Sequence, residues 1–156
     1  MESRTHRTLQ SGPMTPAVLA LEAASIEFTI HEYERGDELR DFGREAADAL
    51  GLDPDQVFKT LVVVADAELV VAVIPVSCQL SMKRVAAAIG AKKAAMGDPA
   101  AAERSSGYIV GGISPIGQRT RLRTVVDDSA DCSTPCTSAV VAAASTSASR
   151  RPTWSR

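Results

Sequence analysis

Lys59 stands in the run Val57-Phe58-Lys59-Thr60-Leu61-Val62-Val63-Val64, one ammonium group in an almost continuous apolar segment. A lysine rarely occupies such a run unless its stem snorkels, a carboxylate pairs with it, or it works. Working lysines hold carboxylate or phosphate oxygens, or polarise a carbonyl. The plain alternative is an edge-strand lysine that guards against pairing with other chains. The second candidate is Gly111-Gly112-Ile113-Ser114, followed by Pro115. Paired glycines let a backbone come close to a ligand and present its amides as donors. An ordinary turn uses the same residues. The spacing fits neither a dinucleotide fingerprint nor a phosphate-binding P-loop.

Other chemistries find little support. The histidines are His6 and His31, and neither Ser81 nor Ser114 has the flanking glycines of a nucleophile elbow, so a Ser-His-Asp triad is not expected. The cysteines are Cys78, Cys132 and Cys136, an odd count with no apolar signal core at the N-terminus, which argues against a disulfide framework. Cys132 and Cys136 resemble half a metal site, but no second Cys/His pair follows, so neither metal nor cofactor is expected. Cys78 reads as a small buried hydrophobe near a strand end. The net charge of −2 does not advertise a nucleic-acid binder, although a local basic face stays open. No stretch approaches the roughly 20 apolar residues that span a bilayer. A cytoplasmic, membrane-free protein is the expectation, of unspecified oligomeric state.

The elements that must position these residues can be read from periodicity and punctuation. At 156 residues and 45% hydrophobic content the chain suits one domain, and 4% aromatics leave its core to Val, Ala, Leu and Ile. Residues 1–13 are polar and unpatterned and read as a disordered lead, with Met14 a natural start. Thr15-Pro16 caps a helix that runs to about Ser25. Ile26–Tyr33 alternates apolar and polar residues, as a half-buried strand does. Glu34–Asp41 reads as a charged loop, and Phe42–Leu50 as a helix stopped by Gly51. Asp53-Pro54-Asp55-Gln56 has the form of a short helix start. Phe58–Val64 and Leu69–Val76 form a hairpin, buried on both faces. Ser81 caps a helix Met82–Ile89 that ends at Gly90. Lys92–Met96 is a short strand, and Asp98-Pro99 starts a helix to about Arg104. Gly107–Gly117 reads as strand, glycine loop and turn, and Arg121–Asp127 as a last strand. This mixed order predicts an α/β (α+β) domain whose mixed, partly barrel-like sheet is flanked by helices.

Several motifs coincide in order: Met14-Thr15-Pro16-Ala17, Asp41-Phe42-Gly43, Leu52-Asp53-Pro54-Asp55-Gln56-Val57-Phe58-Lys59-Thr60-Leu61 and Gly90-Ala91-Lys92-Lys93. Asp98-Pro99, Glu103-Arg104-Ser105-Ser106-Gly107-Tyr108 and Val110-Gly111-Gly112-Ile113-Ser114-Pro115 follow. As a set, over about residues 14–131, they resemble the YbaK-type aminoacyl-tRNA editing domains, and among these the Cys-tRNA(Pro) deacylases, relatives of the editing insertion of bacterial prolyl-tRNA synthetases. The resemblance implies a free-standing hydrolase that cleaves the ester of mischarged Cys-tRNA(Pro). It places the family's essential lysine on Lys59, substrate-pocket positions on Tyr33, Phe42 and Thr60, and the glycine loop on Gly111, Gly112, Ile113 and Ser114. It also implies that the substrate's own thiol attacks its carbonyl while the protein positions the ester. The implied partner is the acceptor end of tRNA(Pro), with prolyl-tRNA synthetase as a second candidate partner. Lys83, Arg84, Lys92, Lys93, Arg119, Arg121 and Arg123 are candidate phosphate contacts. Two alternatives stay open: editing of another aminoacyl-tRNA(Pro) such as Ala-tRNA(Pro), and an inactive binding or regulatory relative.

The second alternative arises from the C-terminus. Residues 133–156 contain no Asp, Glu, Leu, Ile or Phe and are mostly Ser, Thr and Ala. The family ends instead with a Val-Ser-Gly-Gly loop, a Leu-Asp-Ile strand carrying a pocket aspartate, and a closing helix. A shifted reading frame accounts for this. Ser133-Thr134-Pro135-Cys136-Thr137 written as TCG-ACA-CCG-TGT-ACG and read from its third base begins Asp-Thr-Val-Tyr. Continued to residue 156 it can read DTVYVSGGRRGLDIGLAPADLVA, the expected ending. Two bases of every shifted codon are set largely by the residues present, so free choice of codons does not explain the match. Residues 132–156 are therefore expected to be an out-of-frame, disordered tail on an incomplete domain. Resequencing the gene around codon 133 should find a one-base lesion; an intact frame through the tail would sink this explanation.

Overall fold

The computed structural model describes residues 14–34, 42–131, 137–141 and 146–150. The N-terminal lead, the charged loop after Glu34 and most of the C-terminal tail lie outside them. Helix α1 (Pro16–Ala23) starts where Thr15 accepts the Val18 amide at 3.4 Å. Strand β1 (His31–Glu34) is followed by α2 (Phe42–Leu50), which Gly51 ends at φ +62°. The hairpin β2 (Val57–Ala65) and β3 (Glu68–Pro75) turns at Asp66, whose φ is +53°. Helix α3 (Met82–Ile89) lies between its Ser81 cap and Gly90 at φ +75°. Then come β4 (Ala94–Met96), α4 (Pro99–Ser106), β5 (Arg123–Val126), β6 (Thr137–Val141) and β7 (Thr146–Arg150).

The seven strands form one open mixed sheet in the order β1-β7-β6-β2-β3-β5, with β4 also on β2. It does not close into a barrel. The pairing of β2 is asymmetric. Against β3 it is bonded from Phe58 to Ala65. On its other edge β6 reaches only Val57 and Phe58, and β4 only Val63 to Ala65. Among the described residues, therefore, no strand lies beside 59–62 on that edge. Gly97 partly fills the opening by donating its amide to the Val62 carbonyl at 3.0 Å. In an antiparallel strand successive residues direct their main-chain groups to opposite edges, so the main chain of Thr60 faces the opening as Val62 does.

Period-two alternation divides the core in the same way. Val63 and Ala65 pack with Val70, Ala72 and Val85 under α3. Val62 packs on the other face with Ala17, Ala102, Tyr108 and Ile113. Val57 joins Ala47 and Val76 beneath α2.

Five readings change. The strand expected over Ile26–Tyr33 is confined to β1, because only His31–Glu34 find a partner, in β7. Alternation without a neighbouring strand leaves Ile26 38% exposed and in no regular element. Asp53 organises a single turn and no helix: its carboxylate accepts the Asp55 amide and its carbonyl that of Gln56, both at 2.9 Å. The strand anticipated from Gly107 is loop, with Ile109 and Val110 exposed. Cys78 is exposed, since it falls in the turn past the end of β3. Two segments of the tail, Thr137–Val141 and Thr146–Arg150, pair as backbone strands. Main-chain pairing asks little of side-chain identity, so a segment rich in Ser, Thr and Ala can supply it.

Helix α4 borders the opening in β2 and is fixed at its start by Asp98, whose carboxylate accepts the Ala101 amide at 2.9 Å. Asp98→Ala should cost about 1 kcal/mol. That corresponds to a fall in melting temperature of about 2–4 °C for a chain of this size. A thermal melt followed by circular dichroism checks it, and an unchanged midpoint contradicts it.

Candidate active site

A cavity of about 400 Å³ occupies the opening in the β2 edge. Lys59, Thr60, Leu61 and Val62 supply its floor, four consecutive residues of one strand. A paired strand offers a cavity only alternate residues, so this continuous run is a direct result of the missing neighbour. Phe42 and Gly43, at the start of α2, form one side. Met96, Gly97, Pro99 and Ala102 lead from β4 into α4, and Val110, Gly111 and Ile113 complete the wall.

Among the described lining residues Lys59 carries the only charge. Its Nζ donates to the Val76 carbonyl at 3.5 Å. The Val76 amide in turn donates to the Val57 carbonyl at 2.7 Å, which fixes that acceptor. Gly43 lets α2 pack tightly here: a Cβ on it would lie 2.5 Å from Val76 Cγ1 and 3.7 Å from Lys59 Cβ. Among the described residues the ammonium is thus met by a neutral carbonyl at the edge of a mostly apolar concavity, where a charge acts on an anionic or carbonyl oxygen more strongly than in water.

Beside it the Thr60 hydroxyl is buried, with no hydrogen-bond partner among the described residues. A buried polar atom left unpaired is costly. Across the cavity Gly111 has φ +92°, and a Cβ there would lie 2.6 Å from the Phe42 ring. The ring therefore rests on a bare glycine, which joins the two walls. The Gly112 amide donates to the Ile109 carbonyl at 2.9 Å and turns the loop.

The structure brings together five of the eight residues singled out in the sequence: Lys59, Thr60, Phe42, Gly111 and Ile113. Gly112 and Ser114 are buried behind the wall and do not line it. The Ser114 hydroxyl accepts the Ile116 amide at 3.1 Å and shapes the turn. The backbone of Tyr33 lies in β1; its side chain is outside the described residues. Met96, Gly97, Pro99, Ala102 and Val110 were missed as lining residues, because only pairing of β4 with β2 carries them to Lys59. Of the candidate phosphate contacts, Arg123 is engaged with Glu68 at 3.6 Å and with the Ile89 carbonyl at 3.1 Å. Arg84 lies instead on a second cavity of about 300 Å³ between α3 and β5, opposite Asp127. Hydrogen bonds from the Ser129 hydroxyl and amide hold the Asp127 carboxyl below its ordinary pKa, with Arg84 adding to the effect. No helix among the described residues is long and apolar enough to cross a membrane.

Residues 38–149 match the family model of the aminoacyl-tRNA editing domain. Over 85 residues the chain is 41% identical to EbsC of Enterococcus faecalis, a protein named for Cys-tRNA(Pro)/Cys-tRNA(Cys) deacylation. That match covers 54% of this chain and 52% of the relative, so the chain spans about half the length of the curated relative it matches. A solved structure described as a trans-editing enzyme for prolyl-tRNA synthetase superposes with a TM-score of 0.66 at 24% identity, covering 88% of this chain and 84% of that one. The hypothetical protein APE2540 superposes with a TM-score of 0.70 at 20% identity, covering 86% and 87% respectively. These two likenesses speak for the fold.

The contact between Gly111 and Phe42 yields a direct test. Gly111→Ala must displace the ring and hold an L side chain at positive φ, at a cost of about 1–3 kcal/mol. Urea unfolding should register that loss, and the Phe42 ring resonances should shift. A variant of unchanged stability and spectrum would contradict the described packing.

Proposed function

From the premise that the chain belongs to the aminoacyl-tRNA editing domain family, we propose that it is a trans-editing hydrolase that cleaves the ester joining a wrong amino acid to the 3′ end of tRNA. Cys-tRNA(Pro) is its preferred substrate. The observation that carries this reading is Lys59, the one charged group among the described residues that line an open-sided pocket. An aminoacyl ester is already activated, so hydrolysis needs placement and charge stabilisation more than a strong enzymic nucleophile. The absence of any acidic or thiol side chain among the described lining residues fits that requirement.

Lys59 holds the ribose and phosphate side of the terminal nucleotide, where negative charge develops on the leaving oxygen. The Thr60 main chain and the Val110–Gly111 wall contact the aminoacyl end. With cysteine, the substrate thiol attacks its own ester carbonyl: the C–S bond forms, the C–O bond breaks, and the thiol proton ends on the ribose oxygen. Water then opens the resulting thiolactone. The cavity of about 400 Å³ accepts one small amino acid and part of the terminal nucleoside. Alanine fits the same space, so Ala-tRNA(Pro) remains the competing substrate. The working partner is the acceptor end of tRNA(Pro), with prolyl-tRNA synthetase as the enzyme whose errors are corrected, and the place of action is the cytoplasm.

The tail supports a second reading. On the frame-shift explanation residues 132–156 replace the strand that carries the family's pocket aspartate. This chain then retains Lys59 in a pocket that closes poorly, and is a weak or inactive relative. One assay separates the readings: hydrolysis of Cys-, Ala- and Pro-tRNA(Pro) by this chain, by Lys59→Ala and by a frame-restored version. Cysteinyl ester should be cleaved fastest, and Lys59→Ala should lower kcat/KM by about 100-fold, the scale of losing one preorganised charge. If the frame-restored protein cleaves none of the three, the editing assignment fails. Undiminished Lys59→Ala activity would remove Lys59 from its role.

A further inference from the structure

Glu103 is an exposed carboxylate on the last turn of α4, outside the cavity lining. Its Oε1 accepts the Val110 amide at 3.0 Å, across seven residues of chain. Its own carbonyl accepts the Gly107 amide at 2.9 Å, which ends the helix at a glycine with φ +78°. Val110 and Gly111 then form the cavity wall that faces Lys59. The start of the same helix is fixed to β2 through the Gly97 amide and the Val62 carbonyl. Helix α4 is thus a short bar tied at one end to the strand that bears Lys59 and at the other to the glycine loop.

We propose that Glu103 is a positioning residue for substrate: its carboxylate clasps the Val110 amide and so sets the distance between the glycine-loop wall and the Lys59 strand. Charge supports this reading. A free carboxylate near the mouth of a pocket for a polyanion repels its ligand. Here the charge is spent on a backbone donor, in a charge-assisted bond stronger than a neutral one. Val110 is 45% exposed and Ile109 57%, so apolar packing does little to hold this loop. Without the clasp, the wall opposite Lys59 loosens while the hydrophobic core stays intact. The inference rests on the deacylase reading for its kinetic consequence, and on geometry alone for its structural one.

The test uses the full chain and its frame-restored version, with Glu103→Ala and Glu103→Gln. Glutamine keeps an acceptor oxygen at the same reach and removes the charge. Amide hydrogen exchange of Val110 should quicken about tenfold in Glu103→Ala and stay close to wild type in Glu103→Gln, as expected for one lost hydrogen bond. With Cys-tRNA(Pro), KM should rise about tenfold in the alanine variant with kcat changed much less, and glutamine should restore it. The melting temperature should fall by only about 2–4 °C in Glu103→Ala, the scale of one lost hydrogen bond, and less in Glu103→Gln. Equal Val110 exchange in wild type and Glu103→Ala overturns the clasp. So does a glutamine variant as impaired as alanine, because the acceptor would then not be what matters. A frame-restored protein that hydrolyses no aminoacyl-tRNA removes the deacylase reading, and the exchange measurement then decides the clasp by itself.

Discussion

β2 is bonded along one edge for almost its whole length and along the other only at its two ends. The candidate site is a consequence of that asymmetry. Where β6 and β4 leave a gap, the two faces of the sheet meet at an open edge. Lys59 from one face and Thr60 from the other then line the same cavity. A complete strand in the gap would separate them by the thickness of the sheet and occupy the main-chain groups of Thr60. The elements around the gap read as its frame: α2 with Phe42 on one side, α4 and the glycine loop on the other.

The frame is held by backbone acceptors and donors more than by side-chain pairs. Val76 secures the Lys59 ammonium, Val62 receives Gly97, and the Glu103 carboxylate receives Val110. Among the described residues the Lys59 ammonium is met by a carbonyl and by no carboxylate.

Much of the scaffold was legible because its signals are local. Thr15, Ser81 and Asp98 each cap the helix expected of them, and Gly51 and Gly90 end helices at positive φ. The hairpin was legible for a different reason, since two apolar runs around Asp66-Ala67 admit few other arrangements. The misreadings concern partners distant in sequence. Ile26–Ile30 alternates like a strand and is not one, for want of a neighbour. Cys78 has a core residue's character but lies beyond the strand end, in a turn. Ser114 sits in a motif with chemical promise and serves the turn instead.

By itself the sequence determined the caps, the hairpin, the oddity of Lys59 and the ordered motif set that names the family. Each of these depends on residue types a few positions apart, where propensity and periodicity act. It could not tell whether Lys59 guards an edge or works, nor that Met96, Gly97 and Val110 stand around it. Those depend on which strands reach β2 and where they stop. Strand pairing is a contest among backbones that all carry the same donors and acceptors, and only the packed fold decides its outcome.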